Sequence, residues 1–130
     1  MTGATFFDLD GVRRQLYGLD FSREEAIATA EQRWPLKAYC VVEDWTIFRV
    51  GLNAEELKRV HAAGHLPFFM FAHKVVEDSQ HRFQPGDWVR SSMCTAFTDG
   101  VFFETRNTVY VLLGQGHEQT ASLKAIFSFF

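Results

Sequence analysis

The alternation of apolar and polar positions is sharpest in the last third of the chain, between Pro85 and Leu113. A Pro85-Gly86-Asp87-Trp88 opener leads into a strand-like run, the pair Asp99-Gly100 interrupts it, and a second alternating run follows to Leu113. Two such runs joined by Asp-Gly predict an antiparallel hairpin, because a type I′ turn needs positive φ at both central residues. With a two-residue turn, Thr98 faces Val101, Ala96 faces Phe103, Cys94 faces Thr105, Ser92 faces Asn107, Arg90 faces Val109 and Trp88 faces Val111. These pairs share one side of the ladder, because a strand turns alternate residues to opposite faces. That side is apolar at its ends and polar in its middle. Arg90, Ser92 and Asn107 are therefore candidates to line a pocket for an anionic or amide-bearing ligand. Two other readings compete with this one. Arg106-Asn107 can form a second turn that splits the run and sends these side chains to solvent, or Arg90 can sit in the core against a carboxylate.

Upstream the period lengthens. Ser22 with Glu25, and Asn53 with Glu56, each make a capping box in which the cap oxygen takes the N3 amide and the Glu reaches back to the cap amide. They predict helices from Arg23 to about Arg33, stopped by Pro35, and from Ala54 to about Ala63, stopped by Gly64. Lys37–Val50 is rich in β-branched and aromatic residues but interrupted by Glu43-Asp44, and suits either a hairpin or one bulged strand. Phe68 to about Glu77 reads as a strand buried on both faces, and Asp78–Gly86 as a polar loop. Residues 1–21 show no sustained period and read as an irregular arm with a short strand or turn, and the Gly114-Gln115-Gly116 region reads as a turn. At the end of the chain Leu123, Ile126, Phe127 and Phe130 fit a helix, while Leu123, Ala125, Phe127 and Phe129 fit a strand; the helix is slightly favoured. The fold class is thus α+β: an antiparallel sheet of about five strands, two capped helices and a C-terminal helix or strand, in one domain spanning 1–130.

Composition narrows the function. At 130 residues with 47% hydrophobic content, a single core can bury roughly two-thirds of the unfolded surface without a metal or disulfide staple. A net charge of −3 with scattered Lys and Arg offers no basic stripe for nucleic acid. The longest apolar run, Leu66–Ala72, is too short to span a bilayer, and the charges at Asp8, Asp10, Arg13 and Arg14 do not suit a signal peptide, so the expected location is the cytoplasm. Cys40 and Cys94 fall inside predicted strands, where a thiol behaves as a small buried hydrophobe.

Catalytic motifs are weak. Phe6–Val12 resembles the first motif of haloacid dehalogenase-type phosphatases, but the chain is too short for their doubly wound parallel sheet. His61 and His65 stand four apart, yet Gly64 between them ends the helix that would align them for a metal. No Gly-x-Ser-x-Gly elbow and no P-loop ending are present. The strings Gly86–Ser92 and Phe103–Gly114 resemble a family of small uncharacterised bacterial proteins associated with accessory or prophage-type genes. That resemblance covers roughly the last 65 residues and implies no activity, only a small protein that binds another. No cofactor or metal is expected. The expected function is a non-enzymatic protein-binding or regulatory module whose partner is another protein or a second copy of the chain. Trp45, Phe48 and Arg49 are candidate contact residues, because Trp and Arg dominate interface hot spots. The alternative is a small-ligand binder or enzyme built on the 88–113 polar track.

Overall fold

The structure, a computed structural model, describes residues 9–128. The Phe6–Val12 motif begins outside the described residues, and Phe129 and Phe130 also lie outside them. In chain order the elements are β1 (Leu9–Tyr17), α1 (Arg23–Arg33), β2 (Ala38–Val50), α2 (Ala54–Ala62), β3 (Phe68–Asp78), β4 (Val89–Arg90), β5 (Ala96–Thr98), β6 (Phe102–Glu104), β7 (Thr108–Leu112), β8 (Gln115–Ala121) and α3 (Leu123–Ser128).

Both capping boxes form. The Ser22 hydroxyl accepts from the Glu25 amide at 3.1 Å while Glu25 accepts from the Ser22 amide at 2.8 Å; Asn53 and Glu56 repeat the exchange at 2.8 and 2.9 Å. Each box satisfies two backbone donors that no helical carbonyl can reach. α1 stops at Trp34 before Pro35, and α2 ends at Gly64, whose φ of +82° lets the His65 amide reach back to the Val60 carbonyl. The end of the chain is helical, as α3.

The organising element is β2, one long strand. Along one edge it runs antiparallel to β3, with Cys40 opposite Asp78 and Arg49 opposite Phe68. Along the other it is parallel to two strands in succession: Ala38–Val42 pair with β7, and Trp45–Val50 pair with β8. β7 and β8 are separated only by Leu113-Gly114, and both sides of the seam bend together, with φ of +55° at Asp44 and +68° at Gly114. Trp45 plugs the bend. Its ring is 1% exposed and its indole N–H donates to the Leu113 carbonyl at 3.0 Å. A Cβ at Gly116 would lie 2.3 Å from that ring, so only glycine fits beneath it.

From this seam the sheet extends and curls. β8 carries antiparallel β1, β7 carries antiparallel β6 and then β5, and β3 carries β4. The inside of the curl holds Cys40, Val42, Trp45, Ile47, Met70, Phe103, Tyr110 and Leu112. α1 covers a second cluster by pressing Ala26 and Ala30 against Val41, Val109 and Val111, and α3 covers a third with Ala125 and Ile126 over Phe48, Val50 and Phe69. Small residues on both helices allow close approach.

Several expectations need correction. The sheet has eight strands and is mixed, in place of about five antiparallel ones. The 1–21 arm contains the nine-residue β1, and the expected turn at 114–116 opens the strand β8. The Asp99-Gly100 turn exists, with φ of +56° and +68° and a 3.1 Å bond from the Val101 amide to the Thr98 carbonyl. The ladder beyond it is shifted by one residue: Thr98 faces Phe102 and Ala96 faces Glu104. The cause is Val101, whose carbonyl accepts from the Leu112 amide on β7 at 3.0 Å. Val101 becomes an extra residue on its strand, and a slip of one reverses the faces. The run also breaks after Glu104, because Arg106-Asn107 forms the second turn, closed by Thr105 N to Thr108 O at 2.9 Å, and β7 folds back on β6. Trp88 and Val111 consequently belong to different parts of the sheet: Trp88 precedes β4, which pairs with β3, whereas Val111 lies between β6 and β2.

Candidate functional site

The residues singled out in sequence do not assemble. Arg90 lies on β4, Ser92 is exposed in the connection after it, and Asn107 is exposed in the β6–β7 turn. The shared ladder that would have joined Arg90 and Ser92 to Asn107 is absent, so the polar track is lost as a ligand lining. Trp45 and Phe48 are 1% and 6% exposed and belong to the core, which removes them from any surface contact. Arg49 is exposed, but its guanidinium lies over Phe68 at 4.9 Å and reaches Glu118 at 3.4 Å.

A different surface comes together where β3, β4 and α3 meet. Period-two alternation puts Phe69, Phe71 and His73 on one face of β3, and each finds an aromatic neighbour there. Phe69 meets Phe127 edge-on at 5.5 Å, and Phe71 meets His73 edge-on at 4.8 Å. Trp88 stacks on Phe71 at 6.0 Å, and the Arg90 guanidinium sits 4.2 Å above the Phe127 ring. Trp88 and Phe127 nevertheless remain 52% and 47% exposed. Beside them runs an open groove of about 520 Å³ lined by Phe83, Asp87, Trp88, Val89 and Arg90. Its walls are apolar, with one carboxylate and one guanidinium among the lining residues.

The loop that presents Trp88 is pinned at both ends. At its start the Asp78 side chain, fully buried, takes both the backbone amide of Arg82 at 2.6 Å and its guanidinium at 2.6 and 3.0 Å. Arg82 also donates to the Thr108 hydroxyl at 3.0 Å. The Asp78 hydrogen bonds hold the guanidinium above its ordinary range, so this is a fixed ion pair. At its end the loop rejoins β3 through Gly86 N to Val75 O at 2.8 Å and Val75 N to Asp87 O at 2.7 Å. The aromatic shelf is therefore held in place by the fold itself.

Nucleophilic chemistry finds little support. Cys40 and Cys94 are free and buried, and burial pushes both thiols up to about 12. The thiolate needed for attack is scarce at neutral pH. Burial likewise raises the Tyr110 hydroxyl. His61 sits exposed in the last turn of α2 and His65 lies beyond Gly64. Among the described residues no three His, Cys, Asp or Glu side chains converge for a metal.

Sequence reasoning missed the shelf because it placed Trp88 across from Val111 and read β3 as doubly buried. His73, exposed and in line with Phe69 and Phe71, is the signal that this face of β3 opens to solvent.

A family model described as a domain of unknown function (DUF6957) matches residues 17–128. No curated protein and no solved structure matches the chain. No helix among the described residues is long and apolar enough to cross a membrane.

Proposed function

The chain belongs to the DUF6957 family, and for it we propose a non-enzymatic role: a protein-binding module that works through the aromatic shelf at Trp88. The observation that carries this reading is Trp88 itself, 52% exposed yet stacked on Phe71 and presented by a pinned loop. A rigid aromatic surface contributes large contact area at low entropic cost, and Trp and Arg are the residues most enriched at hot spots. The partner suited to it is a protein that inserts an aliphatic or aromatic side chain between Phe83, Trp88 and Val89, with polar neighbours meeting Asp87 and Arg90. The two unpaired thiols suit a reducing compartment such as the cytoplasm.

The test compares purified partner, first captured with the wild-type chain, against variants by titration calorimetry. Trp88→Ala weakens binding at least about tenfold, equivalent to about 1.4 kcal/mol, while Arg106→Ala in the distant β6–β7 turn changes nothing. The volume of the groove favours a second reading, a small ligand beside Trp88, since ligand pockets fall near this size. Stabilisation by a metabolite that is abolished in Trp88→Ala, with no partner captured, would replace the first reading by the second.

A further inference from the structure

A second surface lies at the opposite end of the sheet. β1 pairs with β8 on one side, and among the described residues no strand lies on its other side. The ladder shows which of its backbone groups face outward. Gly18 N donates to Gly114 O at 2.7 Å, one position beyond Tyr17 and Gln115, the last pair of the β1–β8 ladder. In an antiparallel ladder hydrogen-bonded and non-hydrogen-bonded pairs alternate. With the Gly18 amide on that side, Leu16 and Arg14 turn their amides and carbonyls to β8, while Tyr17, Gln15 and Arg13 turn theirs away from it. The β8 side agrees: Leu113 N bonds to Val42 O and Gly51 N bonds to Ala121 O, so odd-numbered residues of that strand address β2 and even-numbered ones address β1. Arg13, Gln15 and Tyr17 thus form a short template of six outward backbone groups.

The charge around this template is one-sided. Residues 13–17 read Arg-Arg-Gln-Leu-Tyr, and the one acidic residue of β1, Asp10, lies three positions before Arg13. On β1 itself Arg13, which is exposed, and Arg14 stand on opposite faces, and the carboxylate that meets Arg14, Glu118, is drawn as well toward Arg49 on β2. Tyr17, 69% exposed, adds an aromatic ring to the same edge.

We propose that the outer edge of β1 accepts an extended acidic segment of a partner protein as an additional antiparallel or parallel strand. Backbone hydrogen bonds to Arg13, Gln15 and Tyr17 supply affinity, and Glu or Asp side chains beside Arg13 and Arg14 supply selection. A second copy of this chain is the poorer occupant, because it brings two further guanidiniums to an edge that already has an excess of them. This surface is separate from the Trp88 shelf.

The probe is a fluorescein-labelled nine-residue peptide of alternating valine and glutamate, with its valine–lysine counterpart as control, titrated into the full chain and read by anisotropy. The acidic peptide binds, at least about tenfold more tightly than the lysine one, and weakens as salt rises. Gln15→Pro removes one outward amide and leaves the β8 ladder intact, as proline is tolerated where a strand's N–H faces solvent. It lowers acidic-peptide affinity at least about tenfold, and Arg13→Glu does the same without touching the backbone. Trp88→Ala leaves this binding unchanged, so failure here and failure of the shelf are read separately. Equal binding of both peptides, undiminished binding by folded Gln15→Pro and Arg13→Glu variants, or a stable wild-type dimer lost in Gln15→Pro would each overturn the proposal.

Discussion

Trp45 and Trp88 are the same residue put to opposite uses. Trp45 is 1% exposed, rests on Gly116 and donates its N–H to Leu113; Trp88 is 52% exposed and leans on Phe71. The first closes the seam where β2 passes from β7 to β8, and the second forms the outward surface of β3 and β4. Their environments teach that aromatic content alone says little about contact surfaces. What separates the two rings is the backbone beside each: a missing Cβ at Gly116 makes room for one, and a loop tied down by Asp78 and Arg82 holds the other out.

Removing the buried ring breaks the comparison most severely. Trp45→Ala costs about 3–5 kcal/mol, as truncating a fully packed aromatic does, and a urea midpoint close to wild type would show that the seam does not depend on it. Arg82→Ala leaves the Asp78 carboxylate buried without its cation. The loss is about 2–3 kcal/mol, toward the low side for a buried pair because the Arg82 side chain is 33% exposed. The same variant loosens the Trp88 loop, seen as faster amide exchange at residues 82–88; unchanged exchange there would sever the link between the ion pair and the shelf. Gly116→Ala pushes a methyl into the Trp45 ring and costs about 1–3 kcal/mol, and a much smaller cost of the same change in a Trp45→Leu background would locate the strain at that contact.

The thiols sharpen the picture of a dry interior with the smallest effect at neutral pH. Cys40 and Cys94 react with a disulfide reagent near pH 8 only as fast as the protein unfolds, because burial keeps them protonated. Their native pKa lies above the unfolded value of 9.0, at about 12. Proton release is then easier from the unfolded chain, so the contribution of the two groups to stability is intact below about pH 9 and lost as pH climbs toward 12. Denaturation curves that fall no faster over that window in wild type than in a Cys40→Ala, Cys94→Ala double variant would contradict their burial.

How much of this could be read from sequence follows the reach of each interaction. The capping boxes at Ser22 and Asn53, the αL glycine at 64, and the turns at Asp99-Gly100 and Arg106-Asn107 are set within four residues and were legible. β1 and β8 were not, because Gln115–Ala121 is mostly polar and small: its strand character comes from pairing with β2, and its buried residues are Gly116, Gln119 and Ala121, with Gly116 sized to Trp45, far away in sequence. The hairpin register failed at Val101 for the same reason, a hydrogen bond from β7 that local pattern does not contain. The shelf was hidden by the expected pairing of Trp88 with Val111, where β4 in fact pairs with β3. Its residues come from β3, β4 and α3, and only the tertiary fold puts Phe71, Trp88 and Phe127 on one surface.

The division of labour between the two rings comes down to Trp88→Ala, measured for partner affinity and for melting temperature in the same preparation. The account predicts a stability loss of about 1–2 kcal/mol, set by the half-buried ring and its stacking on Phe71 and well below the cost of Trp45→Ala, together with the tenfold or greater loss of binding. A variant that melts lower yet binds its partner as tightly as wild type would make Trp88 a structural residue and contradict the assignment of this surface.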